Sequence, residues 1–143
     1  MFKPPFLNEQ GAIDDCIHSV QTAIELGVNT ISINPVNIQR GTLVEYLWLQ
    51  NRYRPPWYYS LFKAMREAFD QQDLHHTRIV SDPSGAGSKR GIHNCLRREC
   101  NFKMKEILNE FVLNQDTSIL EKIERLDPAC ECHLTYQLQK DFF

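Results

Sequence analysis

The sequence predicts an α/β chain, the second part of a larger barrel or sheet, followed by a mostly helical, cysteine-bearing region. Three observations predict it. Ile13, Ile17, Val20 and Ile24 recur at helical spacing and lead into a short β-rich run, Val28 to Ile33, closed by Pro35. A helix feeding a buried strand through a short connection is half of an α/β repeat. The chain offers only three extended segments, fewer than a closed sheet needs, so the pattern reads as the second part of something larger. Near residue 95 the composition shifts to helices that carry four of the five cysteines. The division falls at residue 80, with βα units in 1–80 and a glycine loop plus a helical, metal-binding region in 81–143.

Each element follows from local chemistry. Met1 to Asn8 is aromatic and carries two prolines, so it is extended or an edge segment. The first helix ends at Gly27, a C-cap glycine. Val28 to Ile33 is a buried strand. Thr42 and Glu45 have capping-box spacing and start a short helix through Leu49, which Arg52 to Pro56 breaks. Tyr58, Leu61, Phe62, Met65 and Phe69 form the apolar stripe of another helix. Asp70 to His76 is a polar loop, and Arg78 to Ser81 a second short strand. After Cys100, Ile107, Leu108, Phe111 and Val112 line one face of a helix. Ser118 and Glu121 read as a second capping box ahead of Leu120, Ile123 and Leu126, and Pro128 stops that helix. Leu134 and Leu138 mark a last amphipathic segment.

Composition excludes several function classes. A net charge of −2 gives no global reason for a nucleic-acid partner, so any such contact rests on a local patch. No apolar run approaches the roughly 20 residues that span a bilayer. The amino terminus has no long apolar core of a signal peptide. A cytoplasmic location is expected, where clustered cysteines are metal ligands or catalytic groups more often than disulfides.

Four stretches could carry chemistry. Asn34, Asn37 and Gln39, with Arg40, follow the first strand, where ligands bind in parallel sheets, and their amides can read a polar small molecule. Alternatively, Asn34 and Asn37 only satisfy turn backbone around Pro35. In Asn51 to Tyr59, Arg52 and Arg54 alternate with aromatics that include Trp57, a pattern suited to stacking on bases and contact with phosphates. The competing reading is a Pro-rich helix start whose aromatics fill the core. The loop Ser81 to Cys95 carries Ser84, Gly85, Gly87 and Gly91, whose backbone can approach an anion, and Lys89 and Arg90 to supply charge. It lacks the P-loop order, and a flexible surface loop is the alternative. Finally, Cys95 and Cys100 (C-x4-C) with Cys130 and Cys132 (C-x-C) fit a tetrahedral zinc or an iron–sulfur cluster, with His93 and His133 as alternates; unlinked thiols are the other reading. Cys16 reads as a core residue, and His18, His75 and His76 as surface groups.

Several of these stretches carry a resemblance. Lys3-Pro-Pro-Phe-Leu, Asn34-Pro-Val-Asn-Ile-Gln-Arg-Gly-Thr-Leu-Val-Glu-Tyr-Leu-Trp48, Tyr53-Arg-Pro-Pro-Trp57, Ser81-Asp-Pro-Ser-Gly-Ala-Gly87, Arg90-Gly-Ile-His-Asn-Cys95 and Cys130-Glu-Cys132 resemble the radical SAM enzymes of archaeosine biosynthesis, a tRNA-modifying group of Elp3-like radical SAM proteins. The resemblance covers essentially the whole chain and implies the last units of a partial radical SAM barrel. In that family a CxxxCxxC motif holds the [4Fe–4S] cluster that cleaves S-adenosylmethionine; this sequence has no such motif. The resemblance therefore implies the C-terminal part of such an enzyme, inactive alone, with a missing amino-terminal half or a complementing subunit as partner. It places Asn34, Asn37 and Gln39 on the S-adenosylmethionine or substrate side. It makes the glycine loop (Ser84, Gly85, Gly87, Lys89, Arg90) and Arg52, Arg54 and Trp57 candidates for tRNA contact. The alternative is a zinc-stapled module that binds tRNA or a partner without catalysis.

Overall fold

The computed structural model describes residues 1–126 and 131–143. It is a small α/β fold in which helices cover a two-stranded parallel sheet. Asn8 opens α1 (Glu9–Glu25) by accepting the Gly11 N–H at 2.8 Å. Gly27 follows the helix at φ 76° and donates to the Ile24 carbonyl, while Val28 N–H reaches Ala23 O at 3.1 Å. This is a Schellman closure, and the left-handed residue it needs is the expected glycine. The buried face of α1 holds Ala12, Ile13, Cys16 and Val20.

Strand β1 (Thr30–Ser32) pairs in parallel with β2 (Arg78–Val80), Ile31 opposite Ile79. It is shorter and more exposed than the buried run predicted over Val28 to Ile33: Thr30 and Ser32 are exposed and Ile31 half-buried. The reason is its neighbours. Asn29 O and Ile33 N–H bond to β2, whereas on the other edge, among the described residues, only Phe2 docks, bonding Asn34 O at 2.8 Å and Val36 N–H at 3.0 Å. The amino-terminal segment is thus extended, as its prolines require. The far edge of β2 is closed by a side chain: the Gln115 amide accepts from Ile79 N–H at 2.9 Å and donates to Ile79 O at 2.7 Å.

Helix α2 (Leu43–Leu49) starts at Thr42, whose hydroxyl accepts Glu45 N–H at 3.2 Å, and Glu45 reaches back to Gly41 N–H at 2.7 Å. Helix α3 (Tyr58–Ala68) buries Tyr58, Leu61, Phe62 and Met65 and packs along α1. Helix α4 (Arg98–Asn114) buries Met104, Ile107, Leu108 and Phe111. Two carboxy-terminal expectations change. Thr117–Arg125 is 3-10 rather than α, and Asp116, not Ser118, caps it by accepting from Ser118 N–H at 2.9 Å. Helix α5 (Cys132–Gln139) turns Cys132 and Tyr136 inward and leaves Leu134 and Leu138 61% and 75% exposed. Its inner face is chosen by the aromatic cluster it meets on α3 and not by its leucines. One core cluster runs from Phe2 through α1, α3, Ile79 and Ile92 to α4 and Leu120. Among the described residues no helix is long and apolar enough to cross a membrane.

Candidate metal centre

Three of the four cysteines predicted as ligands converge. The Sγ atoms of Cys95, Cys100 and Cys132 lie within 4.8 Å of one another. Cys130, the fourth, lies outside the described residues. Cys95 comes from the end of the glycine loop, Cys100 from the first turn of α4 and Cys132 from the start of α5. Thiolates sharing one tetrahedral ion with bonds near 2.3 Å sit about 3.8 Å apart, so the cluster needs only a small contraction to close on a metal. Such a set could bind a soft or borderline ion such as zinc. The histidine alternates stand outside this group. His93 is buried with Nδ1 2.7 Å from Gly91 O, and burial together with the nearby Arg54 charge pushes it down to about 4. His133 is exposed and sets its ring edge-on to Tyr59 at 5.3 Å.

The loop that delivers Cys95 is bracketed from two sides. Asn101 accepts Asn94 N–H at 2.9 Å and donates to the carbonyls of Cys95 and Arg97. Arg54 donates to His93 O at 3.0 Å, Asn94 O at 2.9 Å and Pro55 O at 2.8 Å. Its guanidinium lies 3.5 Å from the centre of the Trp57 ring. Trp57 in turn packs with Cys132 and Tyr136, against Tyr59, Cys95 and Cys100. The Tyr59 hydroxyl is 3.4 Å from Cys132 Sγ. Burial lowers Arg54 to about 10, with Glu9 and the thiols of Cys132 and Cys95 pulling the other way.

Arg54 is itself held by a buried ion pair. Lys3 and Glu9 are fully buried and form an ion pair. Lys3 Nζ also donates to Arg54 O at 2.8 Å, Glu9 accepts Trp57 N–H at 3.4 Å, and Tyr53 OH donates to Lys3 O at 2.8 Å. Burial lowers the Lys3 pKa against the pull of Glu9. Charged residues default to the surface, so nothing in the sequence points to a buried Lys3–Glu9 pair; Asn101 and Tyr136 read likewise as ordinary helix residues.

The other predicted stretches are sorted by the fold. Asn34 and Asn37 meet the loop after β2 at the carboxyl ends of both strands: Asn34 Oδ1 accepts Asp82 N–H at 3.1 Å and Asn37 donates to Ser84 Oγ at 3.3 Å. Gln39 is exposed beside them. The glycine loop is not the open anion cradle expected, because the N–H groups of Gly87, Ser88 and Gly91 donate to Ile92, Gly85 and Ser88 carbonyls. Gly91 cannot carry a side chain, since a Cβ there would stand 2.3 Å from Gly85 O. Arg90 is pinned to Glu45 at 2.6 Å and to Ile38 O at 3.2 Å. Trp57, 2% exposed, offers no face to a base, and Arg54 spends its charge internally. Arg52, Ser84, Gly85 and Lys89 remain exposed.

Beside the thiols, between α3, α4 and α5, lies a cleft of about 390 Å³. Tyr59, Phe62 and Tyr136 wall it, Cys100 and Cys132 border it, and Lys63, Arg66 and Lys103 bring charge to it. A second cavity of about 400 Å³ on the Arg54 side is bordered by Cys95 and Cys132. The cluster therefore borders two cavities.

No family model matches the chain, and no solved structure matches it. Three curated proteins of archaea do. An uncharacterised protein of Methanocaldococcus jannaschii is 36% identical over 132 residues, 92% of this chain and 34% of that protein. A Thermococcus kodakarensis protein named archaeosine synthase subunit beta is 40% identical over 136 residues, 95% of this chain and 40% of that protein. The same name belongs to a Methanosarcina acetivorans protein, 42% identical over 133 residues, 92% of this chain and 35% of that protein. The chain spans between a third and two fifths of the length of these relatives, and over nearly all of its own length it is similar to archaeosine synthase subunit beta.

Proposed function

We propose that this chain acts in archaeosine formation in tRNA, as the C-terminal part of an Elp3-like radical SAM subunit. The observation that carries the reading is the 42% identity over 92% of the chain to a protein named archaeosine synthase subunit beta. On this reading residues 1–80 are the closing βα units of a partial barrel, and Asn34, Asn37 and Gln39 face S-adenosylmethionine or substrate where the two parallel strands end. Residues 81–143 are the metal-binding end, a division of role, since a single core cluster spans it. S-adenosylmethionine with a [4Fe–4S] cluster would supply a carbon-centred radical that breaks a C–N bond of a lysine-modified 7-deazaguanine in tRNA. The cluster motif is absent from this sequence, so that chemistry needs an amino-terminal radical SAM half or a complementing subunit, and this chain alone is inactive. The thiols of Cys95, Cys100 and Cys132, completed by Cys130, hold a structural zinc. The tRNA contacts left to the exposed groups are Arg52, Ser84, Gly85 and Lys89. The protein works in the cytoplasm without a membrane partner.

The test has two arms. A polypeptide with the remaining length of the relatives should co-purify with this chain, and together they should bind tRNA with an affinity that falls steeply with salt. Absence of both would overturn the reading. A second reading, a metal-stapled binding module without catalysis, is favoured by the burial of Cys132 within an aromatic cluster. It predicts that the assembled complex binds tRNA but does not convert S-adenosylmethionine to 5′-deoxyadenosine.

A further inference from the structure

Among the described residues, several hydrogen-bond donors stand beside the three thiols. Tyr59 OH lies 3.4 Å from Cys132 Sγ. Trp57 Nε1–H and the Asn94 side-chain amide are buried and find no hydrogen-bond partner among the described residues. Both residues line the cavity that Cys95, Cys132 and Arg54 also border. Arg97 and Glu131 stand at the same cavity. A buried polar group without a partner is costly, so the Trp57 and Asn94 N–H groups beside one cluster ask for an acceptor, while the Asn94 carbonyl oxygen, also unpartnered among the described residues, asks for a donor. Thiolate sulfurs on a metal are such acceptors, and three or more thiolates around a divalent ion leave a net negative charge. Burying that charge is costly unless a cation and hydrogen bonds offset it. Arg54 supplies the cation in a fixed place, stacked on Trp57 and tied to three carbonyls. Two of those carbonyls, His93 and Asn94, lead directly into Cys95.

We propose that Arg54 is the positioning residue of a metal–thiolate centre formed by Cys95, Cys100 and Cys132, and that Trp57, Tyr59 and Asn94 complete a shell of donors around its sulfurs. The ligand class is a single soft or borderline divalent ion, because sulfurs this close fit ligands that share one ion. In a four-iron cluster each thiolate takes its own iron and the sulfurs stand further apart. Arg54 was expected to face RNA; the shell gives it a different task. Outer groups of this kind commonly change metal affinity by about 10–100-fold. Lysine would keep the charge but lose the planar fork that spans the His93 and Asn94 carbonyls.

The inference rests on the metal reading above, and an anaerobic cobalt(II) titration of the full 143-residue chain separates the two. Wild type should develop thiolate-to-cobalt charge-transfer absorption. Arg54→Gln should weaken cobalt binding about 10–100-fold, and Arg54→Lys should recover part of the loss. Tyr59→Phe should shift the charge-transfer band while leaving the circular dichroism of the metal-free protein unchanged. If Arg54→Gln does not fold, Tyr59→Phe and Asn94→Leu decide by the same absorption. Wild-type affinity and spectrum in all the folded variants would overturn the donor shell and leave the metal reading standing. Failure of the wild type to take up cobalt would overturn both.

Discussion

Lys3 shows how far a single residue can sit from its expected place. Its side chain is fully buried, its partner Glu9 equally so, and together they fix the backbone of Arg54 and Trp57. Replacing one member of a buried pair strands the other charge, which costs about 3–5 kcal/mol. Lys3→Met should therefore lower the urea midpoint by that stability, and Lys3→Met with Glu9→Leu should recover part of it. Cys16 behaves as its place in the helical stripe suggests. Burial pushes its thiol up to about 11, so the native protein should resist iodoacetamide at Cys16 near pH 8 and react there only when unfolded. The sign for stability follows: a thiol held protonated in the fold favours it below the unfolded value, and that contribution is lost as pH rises from 9.0 towards about 11. Labelling of Cys16 at pH 8 as fast as in urea would contradict this burial. The aliphatic periodicity exposed Cys16 to sequence reading; nothing in the spacing of Lys3 and Glu9 could reveal that two opposite charges share a dry site.

At the scale of elements, local signals worked where the element is decided locally. The Gly27 closure and the Thr42–Glu45 capping pair each belong to a few adjacent residues, and α1, α2 and α3 follow from them and from the apolar stripes of α1 and α3. The carboxy-terminal segments differ from what their own sequence signals imply. Thr117–Arg125 tightens to 3-10 behind Asp116, and α5 faces inward through Cys132 and Tyr136 because Trp57 and Tyr59 await them. The Gln115 amide stands in for a third strand against Ile79, which is fully buried. Gln115→Ala should cost about 1–3 kcal/mol in chemical denaturation by leaving Ile79 N–H and C=O unpaired, and a change below about 0.5 kcal/mol would remove Gln115 from the sheet. Gly91→Ala should destabilise by about 1–3 kcal/mol or more, read as a lower melting temperature, because its methyl would collide with Gly85 O.

For the whole molecule, the thiol cluster joins parts far apart in sequence. The glycine loop brings Cys95, α4 brings Cys100 and α5 brings Cys132, all against the Arg54–Trp57 segment that the Lys3–Glu9 pair anchors. The cysteine spacing made the cluster legible from sequence, but not its surroundings, since Arg54 and Trp57 look like an RNA-binding stretch until their partners are known. A metal bound only to the folded state adds stability by mass action, so chelation should lower the melting temperature and zinc should restore it. The most direct test is the metal content of the purified, reduced 143-residue chain by native mass spectrometry. The account predicts one metal ion per chain, lost in Cys132→Ser. A metal-free chain that takes up no added zinc, with Cys95, Cys100 and Cys132 alkylated as fast in the native state as in denaturant, would contradict it.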